Sequence, residues 1–274
     1  MPTIPELRQL LQREKIEGRE RPWGYVWLQR GPSIYLTWLI AKTPLQPNTI
    51  TGASILSGII GALLLASGYW STMLLGIFLF YLNLILDRVD GELARYKRIF
   101  SLKGIYGDEI NHLIVPALFF AGLTCGIADL SASFPTHILV GLGGITAAAI
   151  ILIRVTHNIP YQIYLKKYIK YEVLRPMPTE TRPPTKYLRS QYALIYPVVR
   201  AIHQFQDFLI ILSVFAASLI AERLWSISYF LFPITSWMLL GYAVFLSLIV
   251  LENFWKGARS IEARMQELEK TERG

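Results

Sequence analysis

The chain has 274 residues, of which 53% are hydrophobic and only 17% charged, and it carries a net charge of +8. Such a composition is too apolar, and too unevenly apolar, for an ordinary soluble domain. Without a compact basic domain the charge excludes a nucleic-acid-binding module and suits an anionic lipid surface, and a single cysteine, Cys125, excludes a disulfide framework or a cysteine metal site.

Residues 1–21 alternate acidic and basic side chains without the order of a cleavable signal peptide, so a cytoplasmic amphipathic segment is expected there. Residues 23–44 mix aromatics, a few charges and the pair Gly31-Pro32, which suits either a helix lying along the membrane interface or a short packing helix. Pro44 and Pro47 then break the chain, and Asn48 to Thr51 open the first crossing with capping chemistry. Apolar runs near the roughly 20 residues that span a bilayer fall at 49–68, 71–95, 104–127, 134–156, 205–222 and 228–252. Between the fourth and fifth, residues 157–204 are basic and rich in Tyr and Pro, with no run able to cross. They read as a cytoplasmic insert whose first part, 161–174, has the spacing of a surface-lying helix.

The expected fold is therefore an all-α integral membrane protein with six transmembrane helices preceded by an N-terminal interfacial amphipathic helix. Its parts are an N-terminal segment (1–44), a membrane domain (45–255) and a cytoplasmic tail (256–274). This topology puts 26 of the 27 Lys and Arg residues on one side and only Arg223 on the other, so the termini are expected on the cytoplasmic face.

Chemistry concentrates where the second apolar run ends. Charged residues at that depth are costly and usually functional, and on a helix Asn83, Asp87, Asp90 and Ala94 share one face. Gly91 removes a side chain beside the carboxylates, which lets a nucleotide diphosphate approach, and Arg95 lies about one turn on, within reach of a phosphate oxygen. The third run opens with Gly104, Asp108 and His112, again on one face. If the two helices pack together, Asp87, Asp90 and Asp108 supply three hard oxygen donors, suited to Mg²⁺ or Mn²⁺, that would repel one another without a cation.

These residues carry a resemblance. The run D-x-x-D-G-x-x-A-R, eight residues, then G-x-x-x-D, filled by Asp87, Asp90, Gly91, Ala94, Arg95, Gly104 and Asp108, resembles the signature of the CDP-alcohol phosphotransferase family. The segment Pro47 to Thr51 is also similar to the one that opens the first helix in that family. The resemblance covers about residues 45–255. It implies six helices, a CDP-alcohol donor, an acceptor alcohol, membrane-lipid surroundings, two Mg²⁺ or Mn²⁺ ions, release of CMP and a homodimer, with phospholipid biosynthesis as the setting. It further implies that Gly91, Ala94 and Gly104 line the cytidine site, with Asn48 and Thr51 as polar contacts.

One position departs from the family pattern, because His112 stands where the fourth motif Asp is expected. The resemblance gives that position to the general base, a task histidine performs well near neutral pH. Asp108 and His112 are thus the expected catalytic pair. The second metal would then be weaker, or completed by substrate oxygens, water, Asn111 or Glu109. Alternatives to lipid synthesis are transfer from a soluble CDP-alcohol to a lipid or glycan acceptor, and an inactive scaffold or transporter.

Outside the motif, Arg154, His157, Arg200 and His203 flank the basic insert and fit either a phosphate-bearing group or ordinary cytoplasmic-side positions. Asp207 opens the fifth run as a helix cap or an acceptor contact, His137 has no expected role, and Trp70, Trp225, Tyr229 and Trp255 read as interfacial anchors.

Overall fold

The computed structural model describes residues 2–16, 24–130, 135–170, 201–225 and 234–272, and every regular element among them is helical. In chain order these are α1 (Ile4–Ile16), a π-helical turn (Tyr25–Arg30), α2 (Gly31–Ile40), α3 (Pro47–Leu65), α4 (Trp70–Lys97), α5 (Leu102–Leu130), α6 (Thr136–Lys170), α7 (Phe208–Trp225) and α8 (Ile234–Glu272). Among the described residues, five segments are long and apolar enough to cross a membrane: Pro47–Leu65, Trp70–Lys97, Leu102–Ala128, Thr136–Ile159 and Ile234–Gly257. The remaining expected crossing, 205–222, falls on α7, an 18-residue helix with Glu222 and Arg223 near its end that is not among the five.

The start of α3 differs from the expected capping. Gln46 is the N-cap with no side-chain hydrogen bond, and Pro47 sits in the first turn, where its missing N–H costs nothing. Asn48 turns instead to accept a hydrogen bond from Ser101 Oγ at 3.0 Å, tying α3 to the start of α5. At the other end Gly68, with φ +73°, reverses the chain into α4. Two helices outrun their apolar runs. The expected surface helix at 161–174 is continuous with α6 as far as Lys170, and the expected tail continues α8 to Glu272.

The framework is α3 packed along both α4 and α5, with α6 against α5 and α8, and α7 against α4 and α8. In a bilayer the apolar faces gain little from leaving lipid, so helix association depends on close van der Waals contact through small residues. Gly61 and Gly76 provide it between α3 and α4, since a Cβ on Gly76 would stand 2.7 Å from the Gly61 carbonyl. Further in, Phe80, Phe119, Phe120, Phe208 and Phe215 join α4, α5 and α7 by edge-to-face contacts such as Phe80 to Phe119, with centroids 5.2 Å apart.

The N-terminal segment is fastened to α4 by a buried carboxylate. Glu92 accepts hydrogen bonds from Gln12 of α1, Arg30 of the π-helical turn, and Ser33 and Thr37 of α2, at 2.7–2.9 Å. Every donor comes from the first 37 residues, so the segment expected at the interface presents Ser33, Ile34 and Thr37 to the protein interior. Tyr35 and Leu39 remain exposed on its other side.

Candidate active site

The site forms where the start of α3, the end of α4 and the start of α5 meet. Polar side chains inside an apolar bundle must find partners, and here they find one another. Asn83 Nδ2 donates to Ser54 Oγ and to the Ser54 carbonyl, both at 2.8 Å, and to Asn111 Oδ1 at 2.9 Å. Asn111 Nδ2 in turn donates to Asp87 Oδ1 at 2.9 Å. Ser54 of α3, Asn83 of α4 and Asn111 of α5, one residue from each helix, therefore fix the Asp87 carboxylate.

Around Asp87 the acidic face closes on a histidine. His112 Nε2 lies 3.6 Å from Asp87 Oδ1 and 3.5 Å from Asp108 Oδ1, and one ligand atom from each of the three falls within 4.8 Å of the others. Asp87 Oδ2 is buried and accepts no hydrogen bond among the described residues; Arg88 Nη1 is 3.5 Å away. A buried carboxylate oxygen left without a hydrogen bond, beside a second carboxylate and an imidazole, is a donor set that fits a divalent cation.

Asp90 is placed differently from the expected trio. Its Oδ2 accepts a 2.7 Å hydrogen bond from Thr51 Oγ1, and it lies outside the group formed by Asp87, Asp108 and His112. Helical spacing puts Asp87 and Asp90 on one face, but Thr51 of α3 takes the second carboxylate. Glu109 is engaged by Arg154 through contacts of 3.1–3.3 Å.

Two cavities open on this cluster. One, of about 440 Å³, is lined by all six residues expected at the substrate: Asn48, Thr51, Gly91, Ala94, Arg95 and Gly104. At Gly104 a Cβ would stand 2.7 Å from Asn48 Oδ1, so any larger residue there displaces the Asn48 amide. Arg95 also lines this cavity, and its Nε is buried with no hydrogen-bond partner among the described residues. The second cavity, of about 570 Å³, is lined by Arg154, His157, His203, Gln204, Asp207 and Asn253 among others. Asp87, Arg88 and His112 line both.

Asp207 caps α7, accepting from the Leu209 N–H at 3.0 Å, and also faces the second cavity. His203 Nε2 lies 3.4 Å from Glu252 Oε2. Trp70 Nε1 donates to the Leu219 carbonyl, while His137 is exposed near the start of α6. Arg200 and Tyr229 lie outside the described residues. Sequence reasoning missed Ser54 and Glu92, and gave Asn111 a different part. Ser54 had a signal, one helical turn beyond Thr51 on the same α3 face.

Apolar membrane-length helices with clustered carboxylates and a histidine between them define a multi-pass membrane protein with a buried polar site. The chain belongs to the CDP-alcohol phosphatidyltransferase family, whose profile matches residues 45–219. That span takes in α3, α4, α5 and both cavity-lining faces of the cluster, and membership implies transfer of a phosphate-containing group from a CDP-alcohol. No curated protein matches the chain.

Proposed function

We propose that this protein transfers a substituted phosphate from a CDP-alcohol to an acceptor hydroxyl and releases CMP, in phospholipid biosynthesis at the cytoplasmic face of a membrane that α7 crosses as a sixth helix. The observation that carries the reading is the shared wall: Asp87 and His112 border both cavities, so a donor in one and an acceptor in the other meet at these side chains. The excess of Lys and Arg on one side of the topology supports the orientation.

In this reading the smaller cavity takes the CDP moiety. Gly91 and Gly104 leave room for the nucleotide against the backbone, Asn48 and Thr51 offer polar contacts, and Arg95 meets a phosphate oxygen. His112 stands where the family's fourth Asp is expected and acts as the general base. Its Nε2 takes the proton of the acceptor hydroxyl as the new oxygen–phosphorus bond forms, and the bond to CMP breaks with its electron pair leaving on CMP. Asp108, 3.5 Å from that nitrogen, stabilises the imidazolium once the proton has arrived. Asp87 and Asp108 are the residues that would hold Mg²⁺ or Mn²⁺, with Asp90, whose Oδ2 is engaged by Thr51, adding its other oxygen, and the ion when bound would neutralise charge on the phosphates and the leaving group.

The test is release of CMP by purified protein offered a panel of CDP-alcohols and acceptors with Mg²⁺ or Mn²⁺. Metal-dependent CMP in at least one pairing is expected. A protein that binds cytidine nucleotides yet releases CMP with no pair would overturn the reading in favour of an inactive scaffold.

A further inference from the structure

Arg88 is the third residue common to both cavities; it occupies an unspecified position of the motif, and the cluster of carboxylates does not account for how it is held. Its Nε donates to Gln29 Oε1 at 3.2 Å, and its guanidinium carbon lies 5.4 Å from the centroid of the Tyr25 ring. Gln29 and Tyr25 are themselves buried, at 2% and 5% exposure, so they form a fixed support. The Tyr25 hydroxyl accepts a hydrogen bond from Arg30 Nε at 2.8 Å, and Arg30 is paired with Glu92. Tyr81 of α4 adds a further tie by donating to the Leu28 carbonyl at 2.6 Å.

The other edge of this guanidinium is open. Among the described residues the Arg88 Nη groups donate no hydrogen bond; their nearest carboxylate contact is Asp87 Oδ2 at 3.5 Å, and the side chain is 25% exposed. A planar fork clamped at Nε with its outer edge facing a cavity is the form that binds a phosphate with two parallel hydrogen bonds. The clamp comes from residues 25–29, ahead of the stretch at 45–219 that the family profile matches. Tyr25 lines the smaller cavity and Gln29 the larger one, which places the support on both sides of the shared wall.

We propose that Arg88 binds the phosphoryl group in transit between the two cavities, and that Tyr25 and Gln29 of the N-terminal segment hold it in place. The inference rests on the transferase reading above. During transfer the equatorial oxygens of the phosphorus gain charge and the phosphorus moves toward the acceptor oxygen. A guanidinium fixed at the wall between donor and acceptor stays in contact throughout, whereas Arg95, in the smaller cavity alone, stays with the CMP portion. Arg88 is thus expected to affect turnover more than nucleotide binding.

The experiment uses the full chain in lipid nanodiscs and the donor–acceptor pair that gives most CMP in the panel, with CMP itself as the binding probe. Arg88→Gln should lower kcat about 100-fold, the scale of removing one preorganised donor to developing charge, while the Kd for CMP stays within about twofold of wild type. Arg88→Lys should recover only part of the rate. Gln29→Leu, which frees the clamp, should lower kcat about tenfold in the wild-type background and not further in Arg88→Gln, because the two act on one contact. Near-normal kcat in Arg88→Gln, or strictly additive effects of the two substitutions, would overturn the inference. Should Arg88→Gln lose CMP binding through misfolding, the effect of Gln29→Leu on kcat alone decides. Absence of CMP release by the wild type would overturn the transferase reading and this inference together, and a working wild type beside an unimpaired Arg88→Gln overturns this inference alone.

Discussion

Asn111 donates a hydrogen bond to Asp87 at 2.9 Å, so an amide on α5 aims the carboxylate of α4 that borders both cavities. Groups that orient a metal ligand typically contribute 10- to 100-fold in metal affinity. Asn111→Leu should therefore raise the Mn²⁺ concentration giving half-maximal CMP release by about that factor. An unchanged Mn²⁺ dependence would mean that Asp87 needs no such support.

His112 is predicted to carry the proton of the acceptor. Replacing it by Ala should lower kcat by about 10²- to 10⁴-fold, the usual range for a general base, with little change in KM for the donor. Aspartate at the same position should restore measurable turnover. Steady-state kinetics on purified protein checks both, and near-normal turnover of His112→Ala would assign the base elsewhere.

Gly104 and Asn48 are so close that a methyl group cannot be added without moving the amide. Displacing Asn48 also breaks its hydrogen bond with Ser101, which itself accepts from the Gly104 N–H at 3.0 Å. Gly104→Ala should weaken CMP binding about tenfold, roughly the value of one hydrogen bond to a bound ligand, while melting behaviour changes little. Isothermal titration with CMP measures it.

Glu92 is fully buried and holds Arg30, itself 5% exposed. Glu92→Ala strands the Arg30 guanidinium, and breaking a buried pair on one side costs about 3–5 kcal/mol. The expected result is a clear fall in the thermal unfolding midpoint in detergent, partly recovered when Arg30→Met is added, because the double variant no longer buries a lone charge. Failure of the second substitution to recover stability would show that the hydrogen bonds to Gln12, Ser33 and Thr37 matter more than the charge pair.

Much of this arrangement is legible in the sequence. Helices α3, α4 and α5 begin and end within a few residues of the apolar runs, because Pro47, the turn at Gly68 and the charges between Arg95 and Lys103 mark the breaks between those runs. The placement of Asp87, Asp108 and His112 near one another follows from helical spacing and one packing assumption. Other features are not legible, for definite reasons. Hydropathy marks only the lipid-facing part of a helix, so the extensions of α6 to Lys170 and α8 to Glu272 leave no signal in it. Glu92 looks like an ordinary surface charge in sequence; its partners lie 55 to 80 positions away and only tertiary contact reveals them. Asp90 shares a helical face with Asp87, yet Thr51 on another helix decides where its carboxylate points. Local periodicity fixes the face of a side chain and leaves its partner open.

The most direct measurement is anomalous scattering from crystals of the protein grown with Mn²⁺ and CMP. The account predicts a manganese peak at about 2.1 Å, the bonding distance for small hard cations, from oxygens of Asp87 and Asp108, lost in Asp87→Asn. A peak bound elsewhere, or none beside well-ordered CMP, would contradict it.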